Sequence, residues 1–221
     1  MSDTVLSSYD QITQMLNMIL DQELRESLPL MHSSLKDRII YWPASKRHHH
    51  AWVGGYVDHV KEVMMLAIQS YYNVTAYCEK LAVNPIDFTL DDVILVAYVH
   101  DLDKLYRYKD MPEGDYRRQA KYGGQIWEVA DGITYPDESA KVTQLCALHG
   151  IILSDTQIEA VAHHHGGWSC NLSSPYSYMS DGSGMTKFSA LIHGADLMST
   201  HMFGKKAESK EHKKEVRKVT P

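Results

Sequence analysis

The 221 residues carry 44% hydrophobic and 23% charged side chains and a formal net charge of −6, a balance expected of one globular domain with a sizeable core. Between Lys205 and Pro221 seven Lys or Arg oppose three Glu, a net +4, which leaves about −10 for the rest of the chain; an acidic body argues against a broad nucleic-acid-binding face. No apolar run reaches the ~18 residues of a membrane span, the N-terminus lacks a secretory leader, and three scattered cysteines form no CxxC pair, so a reducing, cytoplasmic setting is expected, without disulfides or a thiolate zinc site.

In residues 8–24, Ile12, Met15, Leu16, Ile19 and Leu20 recur at helical spacing and predict an amphipathic helix. It is expected to pack on its own domain, with a homo-oligomer as the alternative. A second helical stretch extends to Ile40. WPASKRHHH (42–50) reads as a loop. From Trp52 to Leu81 the pattern is helical again, with Tyr56, Val60, Val63, Met64, Ala67 and Tyr71 on one face. Thr89 and Asp92 form a capping box, Asp replacing the usual Glu, that starts a very apolar helix ending in HDLDK (100–104).

A Tyr- and Arg-rich loop at 106–124 follows, then a helix around 125–130, one at 137–150, and one from an Asp155 N-cap to His165, stopped by Gly166-Gly167. Residues 168–184 read as a long polar loop or lid, and a last helix runs from about Met185 to His201. No alternating strand pattern of any length stands out. The fold expected is all-α: an N-terminal helical segment (1–47), one domain (48–203) and a basic tail (204–221).

Histidine is the unusual residue, thirteen in all, and it clusters at 48–50, 59, 100, 149, 163–165 and 193. His59, His100-Asp101 and Asp196 each interrupt an apolar helical face. A buried charge without a partner costs several kcal/mol, so a shared divalent cation is the economical explanation. A mixed imidazole and carboxylate set does not choose among Mn, Fe, Co, Ni and Zn.

The order His59, His100-Asp101, Asp196 resembles the H…HD…D signature of the HD-domain metal-dependent phosphohydrolases. HHAWVGGYVDHV (49–60) looks like the HHA-x-x-GG-x-x-x-H segment of HD domains appended to certain exoribonucleases, HDLDK is similar to HD-x-G-K with Asp103 in place of Gly, and HHG (164–166) also fits that branch. The resemblance implies a helical HD domain in which His59, His100, Asp101 and Asp196 bind one metal. His149 and His164 would add a second, bridged by Asp101, with Mg joining the candidate ions. It implies that Lys104 neutralises a phosphate oxygen and that His50 faces phosphate. Asp101 and Asp103 are candidates to orient or deprotonate a nucleophile, and Arg107 and His165 to contact substrate. Arg117, Arg118 and Lys121 offer further cations, and Tyr106, Tyr108 and Trp168 could stack a base.

Simpler readings stand beside these. His163–165 and His149 lie at helix C-termini, where the dipole favours histidine without any metal, and His193 reads as a core histidine. The substrate class expected is a small phosphorylated molecule, a nucleotide or cyclic nucleotide. The alternatives are a nuclease on short oligonucleotides or 3′ ends and a non-catalytic nucleotide- or metal-binding regulator.

Overall fold

The computed structural model describes residues 3–46, 48–81, 85–110, 127–133, 138–166 and 185–204. Over them the chain is all-α save for one short ribbon. The order is α1 (Asp3–Leu16), α2 (Gln22–Ser34), α3 (Lys36–Ile39), α4 (Gly55–Leu81), α5 (Leu90–Val99), α6 (Lys104–Arg107), β1 (Tyr108–Asp110), β2 (Trp127–Val129), α7 (Glu138–Leu148), α8 (Asp155–His163), α9 (Lys187–Met198) and a π-helical turn, Ser199–Phe203. None of the described helices is long and apolar enough to cross a membrane.

The bundle is built on α4 and α5. Every residue from Val93 to Val99 is buried, as expected of a helix apolar all round and enclosed by neighbours. Against it α4 lays Tyr56, Val60, Val63, Met64 and Ala67, all fully buried, and α1 and α9 flank α4. The Thr89–Asp92 capping box forms as expected, and Asp92 also accepts from Gln157 Nε2 at 2.7 Å, tying the start of α5 to α8. The enclosed helix then ends in the polar HDLDK.

Four sequence expectations are corrected. Residues 8–24 are not one helix: α1 ends at Leu16 and Asp21 caps α2 by accepting from Leu24 N–H. The backbone N–H groups of Leu20 and Asp21, freed at that break, donate to the Asp91 carboxylate, and Leu20 lies 82% exposed instead of on the buried face. The helix expected at 125–130 is strand β2, where Trp127-Glu128-Val129 pairs antiparallel with Asp110-Lys109-Tyr108. Side-chain packing and the partner strand override local periodicity there. The N-cap of α8 is Ser154, one residue earlier than Asp155, because Ser154 and Gln157 form a reciprocal capping box. The last helix stops at Met198, and 199–203 widen into π geometry.

Candidate metal centre

Four helix segments deliver the cluster, α4, α5, α8 and α9, two of them by the same local device. His100 is the C-cap of α5 and its Nδ1 donates to the carbonyl of Ala97, three residues back, at 2.8 Å. His164 is the C-cap of α8 and its Nδ1 donates to Val161 O at 2.6 Å. In each ring the proton is committed to a helix carbonyl, so Nε2 faces outward as a lone pair. His59, inside α4, turns Nδ1 to Ser199 Oγ at 3.0 Å and its Nε2 to the same centre.

Around that centre His59 Nε2 lies 3.3 Å from His100 Nε2, 3.2 Å from Asp101 Oδ2 and 3.2 Å from Asp196 Oδ1. His100 Nε2 is 3.4 Å from Asp101 Oδ2, and His164 Nε2 is 3.4 Å from Asp101 Oδ1. All five residues are buried. Asp101 Oδ1 and His164 Nε2 have no hydrogen-bond partner. A proton on His59 could serve Asp101 and Asp196, but it leaves this last pair as two acceptors facing each other. A cation among them serves every lone pair at once, and the donor set suits a first-row divalent ion. His59, His100 and Asp101 form one grouping that could hold a metal ion, and Asp101, His164 and His165 form another sharing Asp101.

The electrostatics agree. Burial pushes Asp101 up, yet Lys104 and the imidazoles hold its carboxyl well below the usual range, and His165 and His59 do the same for Asp196. Burial pushes His59 down, but Asp101 and Asp196 more than offset it and its pKa is raised. His100 stays lowered by burial. The Lys104 ammonium, itself buried, contacts Asp101 Oδ2 at 2.5 Å and is kept charged chiefly by that carboxylate.

A belt of ions surrounds this core. Arg107 bonds Asp103 and reaches Glu138 at 2.6 Å. His165 bridges Glu138 at 3.3 Å and Asp196 at 3.5 Å, and those two carboxylates raise its pKa, against burial, to about 9. Asp103 is pushed to about 6 because burial outweighs Arg107.

His59, His100, Asp101, Asp196, His164, His165, Lys104, Asp103 and Arg107 are thus brought into one connected cluster. His149 is not. It sits half-buried in the turn between α7 and Gly150, and its side chain makes no hydrogen bond or ion pair with the group. His50 reaches the cluster from behind: it is fully buried, with Nε2 at 2.9 Å from Glu62 and Nδ1 at 3.2 Å from His49 Nδ1. The triplet member with a ring against His59 and partial exposure is His49, its pKa lowered to about 3 by burial and then by Lys104. Tyr106 lies under the Arg38 guanidinium at 4.4 Å, and Tyr108 is buried. His193 is half-buried and donates to His164 O at 2.7 Å, bracing that C-cap. Arg117, Arg118, Lys121, Trp168 and the basic tail from Lys205 onward lie outside the described residues.

Glycine makes the entry to α4 possible. A Cβ on Gly55 would stand 1.9 Å from His50 O, inside backbone that cannot yield, and Gly54 has φ +75°. The GG pair therefore lets the histidine loop fold back onto the start of α4 and lays His49 and His50 beside His59. Sequence reading missed His49, Glu62, Ser199 and Glu138. Glu62 carried a usable signal, a carboxylate one helical turn beyond His59; Ser199 carried none.

Comparison of the chain with protein-family models, curated proteins and solved structures finds no match in any of the three.

Proposed function

We propose that this protein is a metal-dependent phosphohydrolase acting on a phosphate ester of a nucleotide or related small molecule, as the resemblance to HD phosphohydrolases implies. One observation carries the reading: the Asp101 carboxylate lies between three imidazole Nε2 atoms and the buried Lys104 ammonium. A purely structural cluster needs no lysine buried against its cation ligands. A phosphoryl-transfer site does, because negative charge builds on oxygens beside the metal.

A divalent ion held there would lower the pKa of a water it binds from ~15.7 toward ~7 and polarise the phosphoryl oxygen. His59, His100, Asp101 and Asp196 would hold it, with His164 on the far side of Asp101 able to engage a second ion. Lys104 would neutralise a non-bridging phosphate oxygen. Asp103 and Arg107 fix α6, and with it Lys104, while His165 keeps Asp196 ionised and oriented. The acidic body of the chain favours a small substrate over a polyanion.

The test combines metal quantification on chelator-free protein with hydrolysis assays on nucleotides, cyclic nucleotides and short oligonucleotides, comparing wild type with His100→Ala/Asp101→Ala. Metal and turnover present together, and lost together in the variant, support the proposal. Turnover confined to oligonucleotides and falling steeply with salt would make the protein a nuclease. Bound metal without turnover of any ester would leave a binding protein.

A further inference from the structure

Behind His59, on the side away from Asp101, polar side chains are bonded in series; the imidazoles of His49 and His50 are among them and with His59 form a third grouping that could hold a metal ion. His59 Nδ1 is 3.0 Å from Ser199 Oγ, Ser199 Oγ donates to Glu62 Oε2 at 2.9 Å, and His50 Nε2 meets the same oxygen at 2.9 Å. A hydroxyl has one proton to give. Spent on Glu62, it leaves only lone pairs for His59, so the proton between His59 and Ser199 belongs to Nδ1. A carboxylate cannot donate, so His50 carries its proton on Nε2. His50 Nδ1 is then free to accept from His49 Nδ1, 3.2 Å away. Glu62 thereby sets the tautomers of three histidines.

The placement is costly unless it serves the centre. The Glu62 side chain is only 15% exposed, and its partners are the His50 ring and the Ser199 hydroxyl, with no Lys or Arg among the described residues. Ser199 is fully buried and opens the π-helical turn, the local widening that recurs at functional sites. The far end of the turn holds the histidine loop, because Gly204 O accepts the His50 N–H at 2.9 Å. One short segment thus contacts the buried back of His59 and the backbone of His50.

We propose that Glu62 and Ser199 are positioning residues of the candidate metal centre: their relay holds the proton of His59 on Nδ1 and presents the Nε2 lone pair to the cation. This rests on reading the cluster as a cation site. Outer partners of metal-binding histidines change metal affinity by about ten- to one-hundredfold when removed.

The experiment uses the full chain as wild type, Ser199→Ala, Ser199→Thr and Glu62→Gln. Mn²⁺ affinity is measured by calorimetry, and histidine tautomers by long-range ¹H–¹⁵N NMR of the metal-free protein. Ser199→Ala is expected to weaken Mn²⁺ by about ten- to one-hundredfold and, at a pH high enough to keep the His59 ring neutral, to turn a pure Nδ1–H pattern at His59 into a mixture. Ser199→Thr, which keeps the hydroxyl, should restore both. Glu62→Gln, nearly isosteric, keeps the fold and should weaken Mn²⁺ in the same direction. Wild-type affinity in Ser199→Ala and Glu62→Gln, or an unchanged His59 tautomer in both, overturns the relay. A wild type that takes up no Mn²⁺, Ni²⁺ or Zn²⁺ overturns the cation site instead, and the metal-free spectra still decide whether the relay sets the tautomer.

Discussion

His164 Nε2 and Asp101 Oδ1 face each other across 3.4 Å of buried space, and neither has a hydrogen bond. Val161 O takes the Nδ1 proton of His164, so a ring with one proton turns only a lone pair toward Asp101. Two buried acceptors left facing each other destabilise the metal-free fold, so a cation that joins them must raise stability. Mn²⁺ at one hundred times its Kd is expected to add about 2.7 kcal/mol, which for a chain of this size means roughly 5–10 °C in Tm. Thermal unfolding with and without metal measures it. Chelator should reverse the shift and Asp101→Asn should shrink it; a wild type indifferent to every divalent ion tried would remove the centre.

How much of this was legible beforehand follows from where each signal resides. His59, His100 and Asp196 stood out because each breaks an apolar helical face, and the Thr89–Asp92 cap fixed where α5 begins. The C-cap positions of His100 and His164 could be read as dipole histidines; only the structure shows both rings spending Nδ1 on the i−3 carbonyl and aiming Nε2 inward. Contacts distant in sequence were illegible. Ser199 lies 140 positions from His59, and the pairing of β2 with β1 joins segments whose local pattern does not announce a strand. The motif points to His50, and the rings of His49 and His50 both lie against His59, at 4.9 and 5.1 Å; the positive φ of His50, +48°, and the tight turn at Gly54-Gly55, which place them there, are not legible in the sequence.

On the proposed phosphohydrolase reading, Lys104 separates binding from chemistry. Its ammonium touches Asp101 but is no metal ligand, so Lys104→Met should keep the cation while losing charge stabilisation at the substrate. A fall of about 10²–10³-fold in kcat is expected, the scale of removing one preorganised electrostatic donor, at unchanged metal content by mass spectrometry. Full activity in this variant would remove Lys104 from the mechanism.

Two glycines give a paired test of the histidine loop. Gly55→Ala forces a Cβ to 1.9 Å from His50 O, so it should cost about 1–3 kcal/mol as an overpacked backbone contact and should weaken cation binding as the loop shifts. Gly194→Ala on α9 meets nothing within 4 Å at a helical position, and should stabilise by about 0.5–1 kcal/mol through helix propensity alone. Chemical denaturation of both variants checks the pair. A neutral Gly55→Ala with normal metal binding would mean the loop is not held where it is described.

The final prediction concerns a histidine outside the cluster. His32 is buried on α2, stacked on Tyr9 at 4.0 Å, with Nδ1 3.1 Å from the Tyr98 hydroxyl and Nε2 3.4 Å from Tyr9 O. Burial dominates and lowers its pKa to about 4, so the folded protein holds this ring neutral through a range in which the unfolded chain, near 6.5, takes up a proton. The sign follows from that difference: the unfolded state binds more protons between pH 6.5 and 4, and stability falls as pH falls through this window. Complete loss corresponds to about 3 kcal/mol, fully present above pH 6.5. His32→Gln keeps polar atoms in place without the titration, so it should start less stable at pH 7 and then lose less on acidification. Parallel unfolding curves for the two proteins from pH 7 to 4.5 would show that His32 is already protonated in the fold, and would assign the acid sensitivity of the chain to its other buried groups.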